Sequence, residues 1–120
     1  MSAQLTSLES AVVDKLLEKH PAFADAVREQ LSHASVSSRD YSGVGFFTEL
    51  AIPPDAPVRR ELGNAELDGV GAEIPGVEHG AGFILFIRDG VISCLEGYTF
   101  GDAKWPDSVT DFRVHEEHYI

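Results

Sequence analysis

The chain has 120 residues, of which 43% are hydrophobic and 24% charged, and its formal net charge is −11 at pH 7. This length and composition predict one globular domain over residues 1–120 with a conventional core. The acidic excess disfavours nucleic acid and anionic membranes as partners and favours encounter with a basic protein. Residues 1–60 carry 6 basic and 8 acidic side chains, whereas residues 61–120 carry 3 basic and 12 acidic. The acidic surface is therefore expected in the C-terminal half.

The N-terminal residues and the single cysteine indicate the cellular compartment of the protein. The segment MSAQLTSLES lacks the basic and apolar regions of a signal peptide, and the longest apolar run, Ala81–Ile87, is shorter than the roughly 20 residues that span a bilayer. Cys94 is the only cysteine, so an internal disulfide cannot form. We expect a cytoplasmic protein in which Cys94 is a buried, inert thiol.

Helix signals dominate the first 42 residues, which contain no glycine. Thr6 and Glu9 have the spacing of a capping box, which predicts a helix from about 7 to 19. Pro21 ends that helix and favours the first turn of a second, from about 21 to 33, so that the two form a helical hairpin. The apolar stripes are Leu5, Leu8, Val12 and Leu16 in the first helix and Phe23, Val27, Leu31 and Ala34 in the second.

From Ser35 onward the apolar period changes to two, which is typical of strands. Alternation predicts a half-buried strand over Val44–Ile52, and Arg39 and Tyr41 extend an earlier one. Further strands are predicted at Glu66–Ile74, where Gly69 and Gly71 indicate a bulged or edge strand, at 82–88, at 91–99 and at Asp111–Glu117. The predicted fold class is α+β, with the N-terminal helical hairpin packed on one face of an antiparallel β-sheet of about four to six strands.

Asp89-Gly90 is the strongest turn signal in the chain. A two-residue type I′ loop here pairs Arg88 with Val91 and makes Ile87 and Ile92 cross-strand neighbours. Counting onward from this turn places Glu96 opposite Phe83. One face of the hairpin then comprises Phe83, Leu85, Ile87, Ile92, Cys94 and Glu96, and the other comprises Ile84, Phe86, Arg88, Val91, Ser93 and Leu95.

In this register Glu96 is a carboxylate on an apolar face, so we expect it to be buried and to have a partner. Backbone amides, Arg39, His79 and Tyr98 are the candidate donors. Glu96 with His79 would form an acid/base pair, which is the basis of an alternative small-molecule-binding or hydrolytic function. The structural alternative is a buried glutamate that holds the neighbouring loop in place.

Complete catalytic, nucleotide and metal motifs are not found. Gly69-Val70-Gly71 and Gly43-Val44-Gly45 lack the third glycine of a dinucleotide fingerprint, and a P-loop lysine is missing. His79-Gly80-Ala81-Gly82 resembles an oxyanion loop without a nucleophile elbow. The cluster from His115 to His118 puts its two histidines on opposite faces of a strand. We therefore predict no cofactor and no metal site.

The motifs HGAGF, LEGYT and WP, with YSGVGFFTEL upstream, span roughly residues 40 to 107. In these motifs the chain resembles a group of small uncharacterised bacterial proteins that share the same pattern. The resemblance implies no particular activity. In its small size, acidity and scarcity of motifs, the chain is also similar in type to immunity proteins that neutralise secreted bacterial toxins.

These observations favour a non-enzymatic, acidic protein-binding domain, of the inhibitor or immunity type, with a basic protein partner. The predicted partner-binding residues are Glu73, Glu78, Asp102, Trp105 and Asp107. Trp105 is open to two interpretations, an exposed anchor of the interface or a lid on the core. A third function, self-association as a homodimer, follows if one helical layer leaves an apolar sheet face uncovered.

Overall fold

The computed structural model describes residues 4–117, and the chain there opens with two helices, α1 (Ser7–Lys19) and α2 (Pro21–Leu31). The predicted capping box is present: Thr6 Oγ1 accepts a hydrogen bond from the Glu9 amide at 3.1 Å, and Glu9 Oε1 accepts one from the Thr6 amide at 2.8 Å. Pro21 occupies the first turn of α2. The predicted helical hairpin is confirmed.

The strands within residues 4–117 are β1 (Ser35–Tyr41), β2 (Gly45–Ala51), β3 (Ala65–Ile74), β4 (Val77–Arg88), β5 (Val91–Thr99) and β6 (Arg113–Glu116). They form one antiparallel six-stranded sheet in the order β1-β2-β5-β4-β3-β6, and one turn of 3-10 helix lies at Arg60–Leu62. The α+β architecture agrees with the prediction. Strand β3 is bulged, as expected, but it lies inside the sheet because β6 pairs with it. His118 lies outside the described residues.

Two tight turns set the hairpins. Asp89 and Gly90 have φ values of 52° and 77°, the left-handed conformations that a type I′ turn requires, and they join β4 to β5. Pro75-Gly76 joins β3 to β4, and Gly76 has a φ of 89°, as the second central residue of a type II turn does. The Pro-Gly pair is a turn signal visible in the sequence. Because the turn lies at Pro75-Gly76, β4 begins at Val77, earlier than the predicted start at residue 82.

The helices cover one face of the sheet, and the hydrophobic core lies between them. Its largest members include Leu16 and Leu17 from α1 and Phe83, Leu85, Ile92 and Leu95 from the sheet, all 1% exposed or less. The side-chain amide of Gln30 also lies in this layer. Its Nε2 donates to the Gly90 carbonyl at 2.7 Å, and its Oε1 accepts from the Ile92 amide at 2.8 Å. Helix α2 is thereby tied to the hairpin turn, and within residues 4–117 every buried side-chain nitrogen and oxygen has a hydrogen-bond partner.

The predicted register of the β4–β5 hairpin is correct at the turn and wrong beyond it. Arg88 pairs with Val91 and Ile87 with Ile92, but Phe86 then pairs with Cys94, so Ser93 is an extra residue in β5. A one-residue shift moves every later side chain to the other face. Glu96 therefore lies opposite Ile84, half-buried on the face away from the helices.

The bulge exchanges apolar and polar residues between the two faces. Leu95 enters the core with no exposed surface, whereas Cys94 and Glu96 lie on the open face, contrary to the prediction. An unpaired carboxylate facing the helices would cost several kcal/mol. The shift lowers that cost by leaving Glu96 partly exposed, and it places Leu95 in the core, which together account for the bulged register.

Candidate partner-binding face

The sheet face opposite the helices, here called the outer face, is rich in aromatic residues. Phe47, Ile84, Phe86, Tyr98 and Phe100 lie on it, and Phe47 is 39% exposed while the others are half-buried. The rings of Tyr98 and Phe100 form an edge-to-face pair with centroids 5.6 Å apart. Nothing within residues 4–117 packs over this face as the helices do over the other one.

The glycines of the HGAGF and LEGYT motifs pack against aromatic rings on both faces of the sheet. A Cβ at Gly82 would lie 2.8 Å from Tyr98 Cζ on the outer face. On the core face, a Cβ at Gly97 would overlap the Phe46 ring and lie 3.0 Å from Phe83. The glycines of HGAGF and LEGYT thus make room for the aromatic residues.

Three carboxylates, Glu49, Glu66 and Glu96, are close together on the outer face, around Cys94. Burial raises the pKa of Glu96, and the nearby charge of Glu66 raises it further. Burial is also the main reason that the pKa of the Cys94 thiol rises to about 12, and Glu49 adds to the effect. Each of these shifts reflects negative charge crowded on a partly desolvated surface.

Positive charge is scarce on this surface. Arg88 lies over the Phe86 ring, with its Cζ 5.4 Å from the ring centroid, and it forms no salt bridge with a residue in 4–117. Glu96 likewise has no hydrogen bond and no salt bridge to any residue in that range. The Arg39 that we expected to pair with Glu96 instead lies on the core face. Glu96 is therefore a half-buried carboxylate without a counter-ion in the described part of the chain.

The predicted partner-binding acids lie at one end of the sheet, where the β3–β4 turn and the loop after β5 meet. Glu78, Asp102 and Asp107 are exposed. Glu73 is also exposed, and its hydrogen bonds from Arg113 lower its pKa. The structure brings these carboxylates to the same end, but it places them apart from the Glu96 cluster.

Trp105 is half-buried against the core. Its ring packs edge-on against Phe46, with centroids 4.9 Å apart, and against Phe83 at 6.2 Å, and its amide donates to the Gly43 carbonyl at 2.8 Å. This geometry favours the lid interpretation, and the outer edge of the ring lines a pocket beside Asp107.

His79 and Glu96 are not brought together. Glu96 lies opposite Ile84, five residues along β4 from His79, which corresponds to about 16 Å at the strand rise. The His79 ring is exposed, lies near Gly101 and has Glu78 as its nearest carboxylate, at 3.9 Å. The prediction that His79 and Glu96 lie close together is wrong, because it assumed a β4–β5 register without the bulge.

Among residues 4–117 the buried carboxylate is that of Glu9, which the sequence pattern indicated only as a capping residue. It is 2% exposed and accepts from Arg39 Nη2 at 2.6 Å, Arg39 Nε at 3.1 Å and Thr48 Oγ1 at 2.5 Å, besides the Thr6 amide. Donating hydrogen bonds to the Glu9 carboxylate raises the pKa of Arg39. The available signal was that Arg39 and Thr48 occupy apolar-face positions of their predicted strands.

The described residues contain neither a group of three or more His, Cys, Asp or Glu side chains arranged to hold a metal ion nor a helix of the length and apolarity that a membrane crossing requires. Comparisons with protein-family models, with curated proteins and with solved structures found no significant match.

Proposed function

We propose that this protein is a non-enzymatic binding domain, of the inhibitor or immunity type, whose outer face binds a basic protein. The observation that carries the proposal is Glu96, which lies half-buried on a face of aromatic side chains and has no salt bridge to any residue in 4–117. A sheet face over which no other element of the described residues packs is typical of an interaction surface. The net charge of −11 also attracts a basic partner at long range.

The partner's chemistry follows from the charges. Covering Glu96, Glu49 and Glu66 with an apolar surface would bury charges without compensation, which is costly. An arginine of a partner would pair with one of these carboxylates, and its planar guanidinium would stack on Phe47 or Phe86. A basic surface with exposed arginines therefore fits the outer face better than a neutral one.

The alternatives have less support. In a two-fold homodimer through the outer face, the carboxylates of one copy would meet those of the other, with Arg88 as the main cation to offset them. An acid/base site made by His79 and Glu96 lacks the required proximity. Glu78, Asp102 and Asp107, at the end of the sheet, supply attraction during encounter.

The proposal is tested by titrating the protein, labelled with ¹⁵N, with a ten-residue peptide of alternating arginine and tryptophan. The matched control peptide carries citrulline, the neutral isostere of arginine. We expect amide shifts to concentrate on β2, β4 and β5 and affinity to fall as salt rises. Glu96→Gln and Phe47→Ala should each weaken binding about tenfold, or ~1.4 kcal/mol.

Glu29→Gln is the matched control for net charge, because Glu29 is exposed on α2, on the other side of the molecule. It should leave the affinity unchanged within about twofold. Equal binding of the citrulline peptide, or equal losses in Glu29→Gln and Glu96→Gln, would show nonspecific attraction and would contradict a specific outer-face site.

A further inference from the structure

A second cavity, here called the Arg39 pocket, lies on the helix side of the sheet. It is bounded by the start of α1, by β1 and β2, and by the loop after β5, and its volume is about 270 Å³. That volume fits a ligand built on a single ring. Because Phe47 and Glu96 lie on the opposite face of the sheet, this pocket is separate from the outer face.

Aromatic side chains form most of the apolar wall. Phe46 lies between Tyr41 and Trp105, with ring centroids 6.3 Å and 4.9 Å away respectively. Tyr41 is 63% exposed, so one wall of the pocket is reachable from solvent. Such a wall favours a flat apolar ligand that stacks on or meets the ring edges.

The polar network of the pocket is centred on Glu9 and Arg39. Glu9 accepts four hydrogen bonds, from the Thr6 amide, from Nε and Nη2 of Arg39 and from the Thr48 hydroxyl. Four donors fill the acceptor sites of a carboxylate, so Glu9 has no capacity left for a ligand. Nη1 of Arg39 makes no hydrogen bond to any residue in 4–117, and the side chain is 24% exposed. A ligand with an acceptor atom would satisfy this nitrogen, which carries two N–H donors.

Charge decides between an anionic and a neutral acceptor. The Arg39 cation and the Glu9 anion form a close pair, with Nη2 2.6 Å from Oε1, and Asp107 adds a negative charge at the rim. A carboxylate ligand would meet no net positive charge there. We propose that the Arg39 pocket binds a small neutral aromatic molecule whose carbonyl oxygen accepts from Arg39 Nη1 and whose ring packs against Tyr41 and Trp105.

The test compares three probes of one size: benzamide, which is neutral with an acceptor, benzoate, which is anionic, and benzylammonium, which is cationic. Binding is followed by ¹⁵N amide shifts and by the indole Nε1–H signal of Trp105. Benzamide should bind most tightly and shift the Trp105 signal. Tighter binding of benzoate would overturn the neutral assignment, tighter binding of benzylammonium would indicate an aromatic cage for cations, and no shift with any probe would remove the site.

Variants separate the contributions of wall, donor and rim. Tyr41→Ala should weaken benzamide about fivefold through loss of ring contact, and Arg39→Lys should weaken it comparably while retaining a cation beside Glu9. Asp107→Asn should strengthen benzoate about twofold and leave benzamide unchanged. If circular dichroism shows that Arg39→Lys is unfolded, the benzamide affinity of Tyr41→Ala alone tests the site. Unchanged benzamide affinity in Tyr41→Ala overturns the proposal.

Phe47→Ala is the matched control, because it removes an exposed ring from the outer face. It should weaken the arginine peptide and leave benzamide unaffected. Tyr41→Ala should show the reverse. The same two variants therefore test the outer-face proposal and the Arg39-pocket proposal separately.

Discussion

Replacing Glu9 by alanine tests whether this carboxylate is the main polar tie between α1 and the sheet. Glu9 is 2% exposed, and its removal leaves Arg39 without a counter-ion and the fully buried Thr48 hydroxyl without its acceptor. Breaking a buried ion pair by removing one partner costs about 3–5 kcal/mol, and loss of the capping contact to Thr6 adds about 0.5 kcal/mol. Because Arg39 is 24% exposed and can reach water, we expect about 3 kcal/mol for Glu9→Ala.

The pairwise part of this cost is isolated by a double-mutant cycle. Arg39→Ala should cost at least as much as Glu9→Ala, because it strands the less exposed of the two charges. In the double variant neither charge is stranded, so its cost should be smaller than the sum of the two single costs by about 2–3 kcal/mol.

The measurement is equilibrium unfolding in urea, followed by circular dichroism and by fluorescence of Trp105, which packs on the core. Glu18→Ala is the matched control on the same helix. Glu18 is 65% exposed in its pair with Lys15, and its loss should change the free energy of unfolding by less than about 0.5 kcal/mol. A cost below about 1 kcal/mol for Glu9→Ala, or a coupling energy near zero, would refute the reasoning.

Three further outcomes are expected. Gly97→Ala should destabilise the fold by about 1–3 kcal/mol, because its Cβ would overlap the Phe46 ring, and an unchanged melting temperature would contradict that packing. The Cys94 thiol, with a pKa of about 12, should react with a disulfide reagent at pH 8 only on unfolding, whereas rapid labelling of the native protein would disprove its burial. Because burial raises the pKa of Glu96 in the folded state, its contribution to stability is fully present below its ordinary value of 4.5 and is lost as pH rises through the folded-state pKa. Glu96→Gln should therefore raise the melting temperature at pH 7 and not at pH 4, and equal effects at both pH values would argue against a raised pKa.

The candidate site was only partly predictable, and Glu96 shows why. The sequence pattern singled out Glu96 but placed it on the core face opposite Phe83, whereas Asp89-Gly90 correctly placed Ile87 against Ile92. The extra residue at Ser93 carries no glycine or proline signal. The position of this bulge depends on which face of the sheet the helices cover, and that is decided by contacts between segments distant in sequence.

Glu9 illustrates the same limit from the other side. The capping box fully accounted for Glu9 in local terms, so nothing in α1 indicated a second role. Its pairing with Arg39, thirty residues away, depends on how α1 lies across β1 and β2. We expected Arg39 to pair with Glu96 and not with Glu9, because both carboxylates are distant from Arg39 in sequence and the pattern could not distinguish them.

The sequence by itself determined the two helices, the type I′ turn, the period of the strands and the α+β class. These depend on capping, proline and glycine conformations and side-chain periodicity, which act over a few residues. Only the tertiary structure decided the strand order, the bulge in β5, the partner of Glu9 and the composition of the outer face. Each of these depends on which charged and apolar groups become buried when distant segments pack together, so residues that are neighbours in sequence do not determine it.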